Sequence, residues 1–195
     1  MNTPVRIAIF ASGDGSNARR LLEHFQHSDA GSIRLLASNN PASGIFDLGQ
    51  AHGVPAELLR SHRDGDYLAA VLAAYDIELL VLAGYLKLIP ASLVARYPRR
   101  IVNIHPALLP AYGGKGMYGM NVHRAVITNG ERRSGITIHF IDEDYDRGEI
   151  CFQQSLAVDP HWSAQDLQQA VLHLEHQYFP EVVEKVCREL RSSCD

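Results

Sequence analysis

Asn103 and His105 stand two residues apart in NIHP (103–106), and that spacing carries the most chemistry in the chain. In an extended strand the two side chains share one face, while Ile104 takes the other. Pro106 stops the strand, so the pair sits at its C-terminal end, where open parallel sheets place their sites. The Asn amide donates hydrogen bonds, and the His ring donates or accepts them. Together they suit a developing oxyanion, where losing one donor typically slows an enzyme about 10²–10³-fold. Asp146 is the candidate carboxylate to raise the His105 pKa and fix its tautomer. Taken singly, these residues have plainer uses: satisfying backbone at a strand end, or standing as an acid in an exposed loop.

A second set of polar groups is backbone. SGDGSN (12–17) follows the apolar run VRIAIFA (5–11) and leads into SNARRLLEHF, which reads as a helix from about Ser16 to His27. A strand, a turn and a helix N-terminus in that order collect anions. Gly13, Gly15 and Ala18 fit the dinucleotide pattern GxGxxG/A. That site also wants a carboxylate ending the second strand, and Ser38-Asn39-Asn40 occupy the position. A Walker loop fails, because glycine follows Gly114-Lys115 and Leu109 replaces the first glycine. A phosphate monoester held by the N–H groups of Gly15, Ser16 and Asn17 remains, against a tight turn that binds nothing. DEDYDRGE (142–149) has calcium-loop spacing at first, but Arg147 and Gln153 fall where glycine and glutamate are needed. No metal is expected. His123 and His139 are expected to make local hydrogen bonds, with His139 placed to support Asp146.

The surrounding pattern is that of an α/β fold. Apolar runs at 5–11, 33–39 (IRLLASN) and 77–84 (IELLVLAG) alternate with helical segments near Ile45–His52 and Asp66–Tyr75. Strands apolar on both faces belong to a parallel sheet covered on both sides, with right-handed crossovers. Pro90 is expected as the first residue of a short helix, PASLVARY. After IVNIHP, the stretch ALLPAYGGKGMYGMN has four glycines and no period. SGITIHFIDE (134–143) and EICFQQSLAV (149–158) then read as an antiparallel strand pair. From Ser163, a plausible N-cap, the chain is helical, with Leu167, Ala170, Val171, Leu174 and Tyr178 on one stripe. Pro180 is expected to kink or break that helix.

The chain has 195 residues, 46% of them hydrophobic, which suits one domain over residues 1–190 with a short disordered tail at 191–195. A net charge of −4 supplies no general field for nucleic acid, so any anion must be met locally. Cys151, Cys187 and Cys194 are odd in number and lack metal-ligand spacing, as in a reducing compartment. No apolar run is long enough to cross a membrane, and the N-terminus has no signal-peptide pattern. A cytoplasmic protein with small-molecule substrates is expected, possible as a homodimer, with neither nucleic acid nor membrane as partner.

NIHPALLP, SGDGSN, LAGYLKLIP (82–90), ITIHF (136–140), YDRG (145–148) and LEHQYFP (174–180) occur in this order. As a set they resemble the folate-dependent formyltransferases, from Arg6 to Pro180. The resemblance implies a Rossmann-like, mostly parallel sheet flanked by helices, ending in an antiparallel strand pair. It implies 10-formyltetrahydrofolate as co-substrate and no metal. SGDGSN is closest to the branch that formylates the amine of 5′-phosphoribosylglycinamide in purine synthesis. Carried over, Asn103, His105 and Asp146 are the catalytic trio, and Gly15, Ser16 and Asn17 bind the substrate phosphate. Leu86, Lys87, Leu88 and Ile89 meet the folate pterin, Asn103, Asp146 and the loop from Ile141 through Asp142 close the pocket, and Arg63 faces the folate tail. Glu175 lies near the glycinamide. A hydrolase of the same folate, or a transferase with another amine acceptor, would share the trio. The stretch AYGGKGMYGMNVH (111–123) is longer than the resemblance leads one to expect, and its Lys115 and four glycines suggest a mobile lid, a loop beside the phosphate, or an idle surface loop.

Overall fold

The architecture of the computed structural model covers residues 3–142 and 146–192. Five parallel strands form its centre: β1 (Val5–Phe10), β2 (Gly31–Ser38), β3 (Ala56–Leu58), β4 (Leu79–Leu82) and β5 (Ile101–His105). β6 (Arg133–Phe140) and β7 (Ile150–Ala157) join antiparallel, giving the order β3-β2-β1-β4-β5-β6-β7.

Alternate residues of the central strands enter two separate cores. Ile7, Ile9, Val81 and Val102 pack with α1 (Ser16–Phe25), α2 (Ile45–His52), α5 (Met120–Thr128) and α6 (Ala164–Ser192) on one face. Ala8, Phe10, Leu80 and Leu82 pack with α3 (Gly65–Ala74) and α4 (Ala91–Arg96) on the other. This is why the strands read as continuous apolar runs.

Four details depart from the sequence expectation. Pro90 stands at the N-cap of α4, with ψ 137°, rather than inside the helix. The three-residue edge strand β3 carries no alternation to announce it. α6 runs through Pro180 without ending, because Phe179, Pro180, Val182 and Val183 are all buried and their packing outweighs the lost backbone bond. Arg191 and Ser192, expected in a tail, are helical, and Arg191 holds the Glu78 carboxylate at 2.9 and 2.8 Å. Residues 193–195 lie outside the described part. At the start of α6, Asp166 N–H donates to Ser163 Oγ at 3.2 Å and Ser163 N–H to Asp166 Oδ2 at 2.8 Å, a reciprocal cap.

Candidate active site

β5 ends in Asn103 and His105, and its antiparallel neighbour completes their surroundings. In the β5–β6 register His139 faces Asn103 and Thr137 faces His105. His139 Nδ1 lies 2.9 Å from the Phe140 carbonyl, which only accepts, so that nitrogen carries a proton. In the neutral ring Nε2 then accepts from Asn103 Nδ2 at 3.1 Å. His105 Nε2 donates in the same way to the Tyr112 carbonyl at 2.8 Å. The other His105 nitrogen, Nδ1, stands 3.7 Å from Asp146 Oδ2, while Asp146 Oδ1 is 3.6 Å from His139 Nε2. Asp146 itself has φ 54°, a left-handed conformation that aspartate tolerates better than most residues. Its Oδ2 also accepts from Gly114 N–H at 2.8 Å.

The chain between His105 and Gly114 is pinned from below. Thr137 Oγ1 donates to the Ala107 carbonyl at 2.7 Å and accepts from Leu109 N–H at 2.9 Å. Gln153 on β7 donates to the Leu109 carbonyl at 2.9 Å. β6 and β7 thus hold residues 107–109, from which the chain runs on to the Tyr112 carbonyl and the Gly114 N–H.

Burial and charge oppose each other here. Burial pushes the His105 pKa down; Asp146 and the Tyr112 carbonyl pull it up, and burial prevails. Asp146 was expected to raise this pKa; its contribution has that sign and is smaller than the burial penalty. For Asp146, burial would raise the carboxyl, yet the neighbouring His139 and His105 rings and the Gly114 N–H together lower it. His123, buried on α5, is pushed down to about 4 by burial, with His105 adding to the effect. Its Nδ1 has no hydrogen-bond partner, contrary to the expectation of a local bond.

SGDGSN turns as expected. Gly15 is the N-cap of α1 with φ 80°, and a Cβ there would also meet Leu48 at 3.0 Å. The end of β2, where a dinucleotide carboxylate is missing, instead braces this loop. Asn40 Nδ2 donates to the Ser12 carbonyl at 2.9 Å, Ser12 Oγ donates to Asn39 Oδ1 at 2.7 Å, and Ser43 Oγ donates to the Gly13 carbonyl at 2.8 Å. Gly44 packs so tightly beneath that a Cβ would lie 2.1 Å from the Asp14 carbonyl oxygen. Asp14 Oδ1 accepts Ser16 N–H at 3.1 Å. Asn17 Nδ2 donates to Glu175 Oε2 at 2.6 Å, and burial pushes the Glu175 carboxyl up to about 7, against the Asn17 hydrogen bond and with help from the Asp14 charge. Glu175 thus faces the cleft rather than solvent.

One cavity of about 620 Å³ joins these parts. Asn103, His105, Asp146, the loop at Gly15–Asn17, Glu175, Ile141 and the whole segment Leu86–Ile89 line it. Leu86 and Leu88, both exposed, add apolar surface to its lining. Arg63 and Asp142 are not among its lining residues: Arg63 lies before α3, where its N–H donates to Ser61 Oγ at 3.2 Å. Glu143, Asp144 and Tyr145 of the acidic loop lie outside the described residues. Gln168 and Leu172 also line the cavity and were missed. With Glu175 they recur at four and then three residues, one face of α6, and that spacing was the available signal.

The family described as formyl transferase matches residues 5–183. The chain belongs to that family. Within it, a chloroplastic phosphoribosylglycinamide formyltransferase of Arabidopsis thaliana is 43% identical over 94% of this chain and 66% of its own length. The Bacillus subtilis (strain 168) phosphoribosylglycinamide formyltransferase is 31% identical over 93% of this chain and 94% of its own. The chain therefore spans 66% and 61% of the length of two plant relatives it matches and nearly all of the bacterial one. The crystal structure of phosphoribosylglycinamide formyltransferase from Anaplasma phagocytophilum superposes with a TM-score of 0.86 at 28% identity, covering 95% of this chain and 88% of that one. Its mostly parallel sheet with an antiparallel β5–β7 end is thus the formyltransferase architecture. No described helix is long and apolar enough to cross a membrane.

Proposed function

We propose that this chain transfers the formyl group of 10-formyltetrahydrofolate to the amine of 5′-phosphoribosylglycinamide, a step of purine synthesis. The observation that carries this reading is the single cavity that has the Asn103–His105–Asp146 cluster on one wall and the Gly15–Asn17 loop on another. A phosphate at the loop anchors the acceptor, and the pterin lies along Leu86–Ile89, in a pocket closed by Ile141. Holding both substrates in one cleft supplies much of the acceleration.

The neutral amine attacks the formyl carbon, and the C=O electrons move to oxygen. Asn103 Nδ2 and the protonated His105 ring meet that oxyanion. His105 is poised below its ordinary pKa by burial, and the new negative charge draws its proton affinity up, with Asp146 adding to the effect. The proton lost by the attacking nitrogen passes, with Asp146 assisting, to N10 of the folate. The C–N10 bond then breaks, leaving formylated glycinamide and tetrahydrofolate. The buried Glu175 takes the glycinamide end, and Arg63, outside the cavity, takes at most the far end of the folate tail. The relatives named phosphoribosylglycinamide formyltransferase support this acceptor. Free Cys151 and Cys187 suit a reducing compartment, the cytoplasm or an organelle such as the plant relatives' names specify.

The test is formyl transfer followed by the absorbance of deformylated folate, with and without the ribonucleotide. Turnover only when both are present is expected. Turnover without the ribonucleotide would make the chain a hydrolase, and silence in both cuvettes would remove this acceptor.

A further inference from the structure

Among the described residues lining the cavity, three carboxyl groups, Asp14, Asp146 and Glu175, stand against two ammonium groups, Lys87 and Lys115. The acceptor brings a phosphate monoester with a charge of about −1.5 to −2 at pH 7. Two carboxyl groups stand at the Gly15–Asn17 loop: Asp14 Oδ1 already takes Ser16 N–H, and Asn17 is joined to Glu175. Backbone N–H groups alone would have to hold a dianion between two acids.

The two lysines are not equivalent. Lys87 belongs to the segment whose Tyr85 and Ile89 pack in the α3–α4 core, and its charge helps lower the His62 pKa, after burial. Lys115 belongs to the segment that runs into α5, and α5 packs against α6 on the same face as α1. It thus shares a face with Gly15–Asn17 and Glu175. The segment is built rather than loose: Gly114 N–H donates to Asp146, Met117 N–H to the Gly114 carbonyl at 3.0 Å, and Asn121 Nδ2 to the Gly116 carbonyl at 3.1 Å. Lys115 is exposed, and no ion pair joins it to a described carboxylate.

We propose that Lys115 is the cation that neutralises the acceptor's phosphate, delivered by the glycine-rich segment 113–119. The assignment rests on the phosphate reading of Gly15–Asn17 above. It gives the segment a role in acceptor recognition and leaves the folate to the opposite face. An ammonium is a compact donor well suited to a phosphate as a point charge.

Binding of ribose 5-phosphate is measured by calorimetry for the wild-type chain, K115M and K115R, with the KM of each substrate measured alongside. Ribose 5-phosphate is expected to bind K115M at least tenfold more weakly than wild type. The ribonucleotide KM should rise in step, the folate KM should stay within twofold, and K115R should recover most of the loss. Unchanged ribose 5-phosphate affinity in K115M, or a rise confined to the folate KM, overturns the assignment. So does a wild-type chain that binds no ribose 5-phosphate. Wild-type binding of ribose 5-phosphate without formylation of the ribonucleotide would instead overturn the proposed acceptor and leave Lys115 standing.

Discussion

Asn17 Nδ2 lies 2.6 Å from Glu175 Oε2, and both side chains are buried at the Gly15–Asn17 end of the cavity. The amide faces a carboxyl that titrates near neutrality, at about 7, so the charge beside the loop changes within the working pH range.

Because the folded Glu175 holds its proton more tightly than the ordinary value of 4.5, its contribution is fully present below pH 4.5 and is lost as pH rises through about 7. The loss amounts to at most about 3 kcal/mol. E175Q keeps an acceptor for Asn17 and removes the titration. Urea midpoints at pH 5 and pH 8 should fall clearly in the wild-type chain and much less in E175Q. Equal falls would mean that this carboxyl is not the titrating group.

Asp146 raises the His105 pKa from 3.7 Å. D146N preserves the shape and tolerates the same backbone angle, so the His105 pKa should drop further and its charged form retreat to lower pH. Proton NMR of the ring C–H across pH 4–8 reads this directly. A pKa that stays put in D146N would uncouple the two residues.

His105→Ala should cut turnover by about 10²-fold or more while ribose 5-phosphate still binds, since it removes an oxyanion donor and leaves the phosphate loop intact. Steady-state rates and calorimetry separate the two effects. Full activity would take His105 out of the mechanism.

Gly113 tests how tightly the segment sets the carboxylate. A Cβ there would lie 2.6 Å from Leu109 Cδ2 and 3.2 Å from Asp146 Cβ. G113A should lower kcat about tenfold by moving Asp146, with little change in either KM. A variant with wild-type kcat would show that Asp146 tolerates displacement.

Much of this arrangement was legible in the chain. Apolar runs without alternation announced a doubly covered sheet, and the two-residue spacing of Asn103 and His105 announced a shared face at a strand end. Less was legible where the cause lies in tertiary contact. β3 is three residues at an edge, too short to show a period. Pro180 reads as a helix breaker until the burial around it is counted. The meeting of His139 with Asn103 follows from the β5–β6 register, which local pattern does not fix. The direction of the His105 pKa shift depends on burial outweighing a carboxylate, a balance that residue types alone do not decide.

The two apolar cores divide more than packing. Tyr85, Ile89 and Ile141 belong to the α3–α4 face, while α1, α5, α6 and the segment before α5 belong to the other. On the proposed function, the seats for the one-carbon donor and its acceptor come from different parts of the chain and meet where β5 ends. Such a frame is separable for the protein engineer: on that reading, rewriting one side of the sheet is the route to a new amine acceptor, with Leu86–Ile89 left untouched.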